Sequence, residues 1–440
     1  MRPGVLRVAL LTYSTKARGG VVATLCLAEA LARAGHLVDV WTLARGGDAG
    51  FFRPVDAAVR VRAVPFPDRA GESVGERVLR SIGTLGTAFG EAAAGDPPTL
   101  RGGRGAAQAH GYDIVHAQDC ISANAVPECV RTVHHLDTFR TPELVACHER
   151  ALRRPFAHVC VSAAVAAELA AGWGITATVI PNGVEADRFA TAAGDSAAVR
   201  AARAAWRGRL GRYVLTVGGI EPRKGTLDLV EAMAVLRGPG RRPANGRQAT
   251  GQAPALVIAG GETLFDYRDY RAEALARAAE LGVEPVLLGP VPHAALPALV
   301  AAADAFAFPS VQEGFGLAAM EALAAGVPVV ARDLPVLREV FAGAVRFAGT
   351  PADLAAELAA ALAEPDQARR SAGVALAGRH RWDRAAAAHV DLYRALLGGD
   401  LPAAPSGTAT TDDTARDPRH PDDRTCGADD RSFGSTSRPG

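Results

Sequence analysis

The sequence predicts an α/β protein of two successive Rossmann-like, doubly wound parallel-sheet domains that face each other across a cleft. Two observations carry this. At the N-terminus a strand, a glycine-containing loop, a helix and a second strand follow in order, a βαβ unit that demands a parallel sheet. The same order starts afresh near residue 213.

Each element follows from local pattern. The stretch LRVALLTY (6–13) is a short apolar run without helical period and reads as a buried parallel strand. After ARGG comes VVATLCLAEALARAG (21–35), apolar at helical spacing and ending at Gly35, a suitable C-terminal stop. LVDVWTL (37–43) is the next strand, and YDIVHA (112–117), VRTVHH (130–135), HVCVS (158–162) and ATVIPNG (177–183) continue the series. The second half begins with YVLTVGGI (213–220) and a helix at 229–236. It continues through strands at 255–261, 285–291, 305–310 and 328–333. The first domain is therefore placed at 1–187 and the second at 188–379, with an amphipathic helix at about 380–398. Residues 83–109 and 238–254 are rich in Gly, Ala or Pro and read as long loops. Residues 399–440 lack apolar periodicity and read as a disordered tail.

Bulk properties exclude several classes. A net charge of +1 over 440 residues gives no basic field for nucleic acid. The six cysteines show no CxxC pair and no zinc-ligand spacing, so free thiols in a cytoplasm are expected. The N-terminal apolar run VALL is too short for a signal peptide, and no run of 18 apolar residues exists. The reading is a cytoplasmic protein; peripheral contact with the inner face of a membrane, and oligomeric state, are left open.

Ligands of open parallel sheets bind beyond the carboxyl ends of the strands, so the loops that follow strands hold the candidates. ARGG, EPRKG and QEGFG all lie there. The chain has only two lysines, Lys16 and Lys224, among 48 basic residues, and Lys224 stands beside Arg223 in EPRKG. Why a lysine is kept there in so arginine-rich a chain is the question this loop raises. In PSVQEGFGLAAMEALAAGVPVVA (309–331), Gly314 and Gly316 bracket Phe315 ahead of a helix from about Leu317 to Ala325. Free N–H groups at that start suit an anion. Glu313 reads equally well as an ordinary charge before a helix or as a ligand group, and Glu321 as a surface charge or a buried one that needs partners.

EGFGL…EALAAGVPVVA resembles the C-terminal signature of the retaining glycosyltransferases of family 4, which have the GT-B fold. The resemblance runs over nearly all of residues 1–398. It also rests on GGVVATLCLAEALARAGHLVDVWT, VSAAVAAEL, VIPNGVEADRF, VGGIEPRKG and ALVIAGG. One departure is Ala318, where the family usually has proline. Another is Gln118 in DIVHAQD, where the family has a second histidine.

The resemblance implies transfer of a sugar from a nucleoside-diphosphate sugar to an acceptor it does not identify. It implies front-face attack with retention, no metal and no further cofactor. Arg223 and Lys224 would hold the donor diphosphate and stabilise the leaving group. Glu313 would contact the donor sugar and Glu321 the ribose hydroxyls. Gly314, Phe315, Gly316 and Leu317 would supply the backbone of the donor loop. Gly19 and Gly20 would let the first half's loop approach the phosphates. His134, in the family's Thr-x-His stretch, would lie beside the transferred sugar. Arg223, Lys224, Glu313 and His134 would thus form the catalytic set, with Asp119 and Asp137 shaping the acceptor side. An epimerase or phosphorylase on the same fold and a non-catalytic sugar-nucleotide sensor are the alternatives. A nicotinamide dehydrogenase is weaker, because STKARGG lacks GxGxxG.

Overall fold

The computed structural model describes residues 4–46, 50–93, 111–126, 128–137, 139, 141–238, 253–261, 267–363 and 366–398. Residues 239–252 of the expected loop at 238–254, and the tail at 399–440, lie outside the described residues.

The first sheet has seven strands: β1 (Arg7–Leu11), β2 (Leu37–Arg45), β3 (Val59–Phe66), β4 (Ile114–Ala117), β5 (Val130–Val133), β6 (Ala157–Cys160) and β7 (Thr178–Val179). Their order is β3-β2-β1-β4-β5-β6-β7. The second has six: β8 (Tyr213–Val217), β9 (Ala255–Ala259), β10 (Val286–Gly289), β11 (Ala305–Phe308), β12 (Val329–Arg332) and β13 (Arg346–Ala348), ordered β10-β9-β8-β11-β12-β13. Neighbouring strands pair in parallel, as β1 does with β2 and β4, and β8 with β9 and β11. The order reverses beside β1 in one sheet and beside β8 in the other. Each reversal opens a crevice at the strands' carboxyl ends.

The apolar runs became the central strands because both sheet faces are covered. Val8 to Leu11, Val214, Leu215, Phe306 and Ala307 are all fully buried. Two strands escape the sequence pattern. β3 (VRVRAVPF) carries Arg60 and Arg62 at an edge, where both pair with Asp39 of β2 at 3.2 Å. β13 is only three residues long.

The expected loop at 83–109 is corrected in its first part. Helix Val74–Ala93 runs through Gly83, Gly86 and Gly90. Gly86 explains the choice of residue: a β-carbon there would stand 3.0 Å from the Ala125 carbonyl oxygen, so glycine lets this helix press on helix Cys120–Ala125. Residues 94–110 lie outside the described residues.

The last helix, Trp382–Gly398, follows the second sheet in sequence but packs on the first. Trp382, Ala386, Tyr393 and Leu396 share a buried cluster with Val8, Leu10, Leu25 and Leu31. The Tyr393 hydroxyl meets His116 Nδ1 at 2.6 Å, and His116 Nε2 meets Thr132 Oγ1 at 2.8 Å. A buried polar chain thus ties the closing helix to β4 and β5, just below the loop that carries His134. No helix among the described residues is long and apolar enough to cross a membrane.

Candidate active site

The loop after β8 turns through a short 3-10 segment, Pro222–Lys224. Pro222 presets its first φ, and Gly225 ends it at φ 63°, a left-handed value that favours glycine. A β-carbon on Gly225 would also overlap the Pro309 carbonyl oxygen, so the turn sits hard against the loop after β11. The Val311 N–H donates to the Arg223 carbonyl at 2.8 Å and locks the two loops together.

Lys224 then has a narrow path. Its stem passes Gly218, where a β-carbon would lie 3.4 Å from Lys224 Cε, and its ammonium stands 5.3 Å from the centre of the Phe308 ring. The ammonium pairs with Glu313 Oε1, and Arg223 Nη1 reaches the same oxygen at 3.3 Å. Arg223 Nε faces Glu221 Oε2 at 3.4 Å. Lysine brings a compact point charge to Glu313 along this path.

The Glu313 side chain is only 10% exposed. Burial alone would raise its pKa, but Lys224 and Arg223 hold it down at about 2. Glu321, in helix Leu317–Ala324, has no such partner. Burial pushes it up to about 8, and the more distant Arg188 offsets this only in part. Two carboxylates eight residues apart thus occupy opposite charge states near neutrality, a division typical of sites with distinct roles for each group.

Gly316 caps that helix in the left-handed region, φ 93°, with no side chain on its first N–H groups. A β-carbon there would stand 2.9 Å from Phe341 Cζ. Phe315 is buried and edge-on to His380, 5.4 Å between ring centres. The helix therefore presents free N–H donors at its start, next to Glu313 and the Lys224–Arg223 pair.

The first half meets this loop directly. The His134 carbonyl oxygen lies against Gly314, and Gln312 donates its amide to the Leu136 carbonyl. The His134 ring is held neutral by burial, its pKa lowered to about 3, and its buried Nε2 has no hydrogen-bond partner. Gly20 touches the same ring: a β-carbon there would lie 3.5 Å from His134 Cδ2. The structure thus gathers His134, Gly20, Glu313, Gly314, Arg223 and Lys224 around one cleft. Gly19 opens helix Gly19–Arg33 one residue before Gly20.

The two expected acceptor-side carboxylates differ in their surroundings. Asp119 caps helix Cys120–Ala125, with Oδ1 accepting from the Ser122 N–H at 2.8 Å and Oδ2 from the Tyr13 N–H at 3.0 Å. Both oxygens serve the scaffold, so Asp119 positions the loop after β1. Asp137 pairs with His135 Nε2 at 3.1 Å. Burial raises its pKa, but His135 and the charge of Arg223 bring it below the usual carboxylate range, so it faces the donor cations as well. Lys16 is exposed.

Several polar groups at the same strand ends carry no motif that would mark them in the chain. Thr15 Oγ1, Gln118 Nε2 and Ser310 Oγ are buried without partners. The five described cysteines are free, and no cluster of metal-ligating side chains occurs among the described residues.

A pair of parallel Rossmann-like sheets with cations, a free helix start and a neutral histidine around their common cleft defines the class of GT-B glycosyltransferases. Residues 17–188 match the family model described as Glycosyltransferase Family 4, and residues 209–374 that described as Glycosyl transferases group 1. Between them the two matches place residues 17–188 and 209–374 in these glycosyltransferase families. The chain is 37% identical over 236 residues to the D-inositol 3-phosphate glycosyltransferase of Segniliparus rotundus, an alignment covering 50% of this chain and 47% of that protein. The chain thus spans about half the length of that relative. It is 28% identical over 425 residues to the phosphatidyl-myo-inositol mannosyltransferase of Mycolicibacterium smegmatis, covering 92% of this chain and 97% of that one. The fold is shared with sucrose-phosphate synthase from Thermosynechococcus elongatus at a TM-score of 0.67 and 20% identity, over 90% of this chain and 100% of that one.

Proposed function

We propose that the protein transfers a sugar from a nucleoside-diphosphate sugar to an acceptor hydroxyl, with retention at the anomeric carbon and without a metal. One observation carries this reading. Arg223 and Lys224 converge on Glu313 beside the uncapped start of helix Leu317–Ala324.

A diphosphate leaving group gains negative charge as its bond to the sugar breaks. Arg223, Lys224 and the N–H groups around Gly316 supply fixed positive potential there, in a partly dry site. Glu313 neutralises the two cations, and when donor phosphates take up their charge it is free to accept from a sugar hydroxyl. Glu321 receives the ribose hydroxyls, and burial favours it as a neutral or hydrogen-bonded group.

On the same face of the sugar the acceptor oxygen forms its bond to the anomeric carbon while the carbon–phosphate oxygen bond breaks. The acceptor proton passes to the departing phosphate oxygen. His134 borders this space with a neutral ring and its backbone carbonyl, shielding an electron-poor carbon from water.

The test is calorimetric titration with UDP, GDP and ADP, then with their sugar nucleotides. One diphosphate should bind at micromolar concentration and lose its affinity in Lys224→Ala. Binding that ignores this substitution, or no binding of any diphosphate, would overturn the assignment.

A further inference from the structure

Two cysteines from different helices lie side by side in the first half. Cys120 opens helix Cys120–Ala125, directly after Asp119, and Cys147 sits within helix Pro142–Arg153. The buried side chain of Asn124 ties them together. Its amide nitrogen donates to the Cys120 carbonyl and to the Cys147 carbonyl, both at 2.8 Å, and the Cys147 sulfur lies 3.2 Å from the same nitrogen. An amide nitrogen has two hydrogens to give, and here they hold both backbones, so the two carbonyl oxygens stand no further apart than twice that bond. Arg150 steadies the amide from its other end, with Nε 3.3 Å from Asn124 Oδ1. The side chains complete the contact: the thiols of Cys120 and Cys147 are hydrogen-bonded to each other.

This pair differs from the other described thiols. Burial pushes Cys26, Cys129 and Cys160 up to about 12, where they stay protonated and inert. Between Cys120 and Cys147 the shared hydrogen bond decides. It keeps the proton on Cys120, which burial favours too, and it draws Cys147 below its ordinary value, against burial and with help from the charges of Arg150 and Arg131. Arg131 is 4% exposed, and its Nε and Nη1 have no hydrogen-bond partner. Its charge acts on Cys120, Cys129, Cys147 and Asp119. Cys120 is the one described cysteine that is not fully buried. A thiol favoured as thiolate, with a second thiol already in contact, is the arrangement of an oxidisable nucleophile and its resolving partner.

We propose that Cys120 and Cys147 are a reversible oxidation site, closed to a disulfide by a peroxide. The Cys147 thiolate attacks one peroxide oxygen and the oxygen–oxygen bond breaks. Cys147 becomes a sulfenic acid, and the departing hydroxide takes up a proton as water. The Cys120 sulfur gives up its proton and attacks the Cys147 sulfur. The sulfur–sulfur bond forms, the sulfur–oxygen bond breaks, and a second water leaves. The two sulfurs lose two electrons and the peroxide gains them.

The disulfide acts on the scaffold through Asp119. Joining the sulfurs shortens their separation and pulls the start of a six-residue helix toward a twelve-residue one. The shorter helix yields, and with it the Asp119 bonds to the Ser122 and Tyr13 N–H groups. Tyr13 stands in the loop after β1 that runs on to Gly20, against the His134 ring. Oxidation therefore loosens that loop.

The test treats the full chain with hydrogen peroxide, quenches it with N-ethylmaleimide and maps the peptides by mass spectrometry without reduction. A cross-link should join the peptides that hold Cys120 and Cys147, with fragmentation placing it at Cys120 and not at Cys129. Both thiols should be lost roughly tenfold or more faster than Cys160. Dithiothreitol should restore them, and Cys120→Ser should abolish the cross-link. In the same samples, amide hydrogen exchange in the peptide holding Tyr13 should quicken by about tenfold on oxidation and slow again on reduction. A cross-link that is absent, or thiols lost no faster than Cys160, overturns the oxidation site. A cross-link that leaves exchange at Tyr13 unchanged overturns its action on the loop after β1. None of these readouts uses a sugar donor, so they stand apart from the test of the transferase reading.

Discussion

The carbonyl oxygen of His134 rests directly on Gly314, so that the first half's loop and the donor loop of the second meet backbone to backbone at this point. A β-carbon on Gly314 would overlap that oxygen and would lie 2.8 Å from the His134 carbonyl carbon and 3.2 Å from Val161 Cγ2. None of these is the far end of a flexible side chain. Gly314→Ala should therefore push the His134 loop off the donor loop. We expect turnover to fall by roughly a hundredfold, the scale of a misplacement near 1 Å. Far-ultraviolet circular dichroism should not change, because the clash lies between loops. Wild-type turnover in Gly314→Ala would show that the contact is dispensable.

Lys224 is held by Gly218, Phe308 and Glu313 together. Lys224→Ala leaves Glu313 with Arg223 alone and removes a charge from the leaving group. Turnover should drop at least about tenfold, with diphosphate affinity reduced in parallel. Lys224→Arg should not rescue it, because a longer, planar guanidinium places its charge differently from the ammonium that meets Glu313 Oε1 and faces the Phe308 ring. Rescue by arginine would mean that charge matters there and shape does not.

Much of this was legible in the chain itself, and the limits have physical causes. The central strands, the restart at Tyr213 and the loops EPRKG and QEGFG show plainly, because buried parallel strands are continuous apolar runs and their loops carry Gly and Pro. β3 did not show, since Arg60 and Arg62 at an edge break the run and find Asp39 only across the ladder. Helix Val74–Ala93 was hidden by its glycines, of which Gly86 serves a contact with Ala125 that only the tertiary fold reveals. Asp119 looked like a ligand because a capping box is visible only once the helix start is fixed.

Stability should peak near pH 6 to 7, from two opposing sets of groups. Burial lowers the pKa of His134 to about 3 and those of His158, His293 and His389 to about 4. Below their ordinary value of 6.5 the unfolded chain binds protons that the folded chain does not, so stability is lost as pH falls from there toward 4. Glu321 acts the other way. Burial raises its pKa from 4.5 to about 8, so its contribution is full below 4.5 and is lost as pH rises to about 8. Melting temperature measured against pH should show both limbs. Glu321→Gln should flatten the alkaline limb and stabilise the protein at pH 8 by a few kcal/mol, at about 1.4 kcal/mol per pH unit. The same variant should bind donor less well. An alkaline limb that survives the substitution would assign it to other groups.

The closing helix gives the last prediction. Tyr393 is fully buried, and its hydroxyl meets His116 Nδ1 at 2.6 Å, while His116 Nε2 meets Thr132 Oγ1. Burial first, and then the neighbouring His389 and His134, keep His116 neutral. Tyr393→Phe keeps the ring and removes one partner, leaving a buried imidazole nitrogen unsatisfied. That should cost about 1–3 kcal/mol, well above the value of an exposed hydrogen bond. The pair His116→Phe with Tyr393→Phe removes both polar groups and should recover part of the loss, since the asymmetry lies in the orphaned partner. Thr132 immediately precedes Val133 and His134, so the single variant should also raise KM for donor more than it alters the far-ultraviolet spectrum. Denaturant midpoints for the two single variants and the pair measure the coupling directly. Strict additivity would mean that the helix is held by its apolar face, through Trp382, Ala386 and Leu396, and that the polar chain beneath His134 contributes nothing of its own.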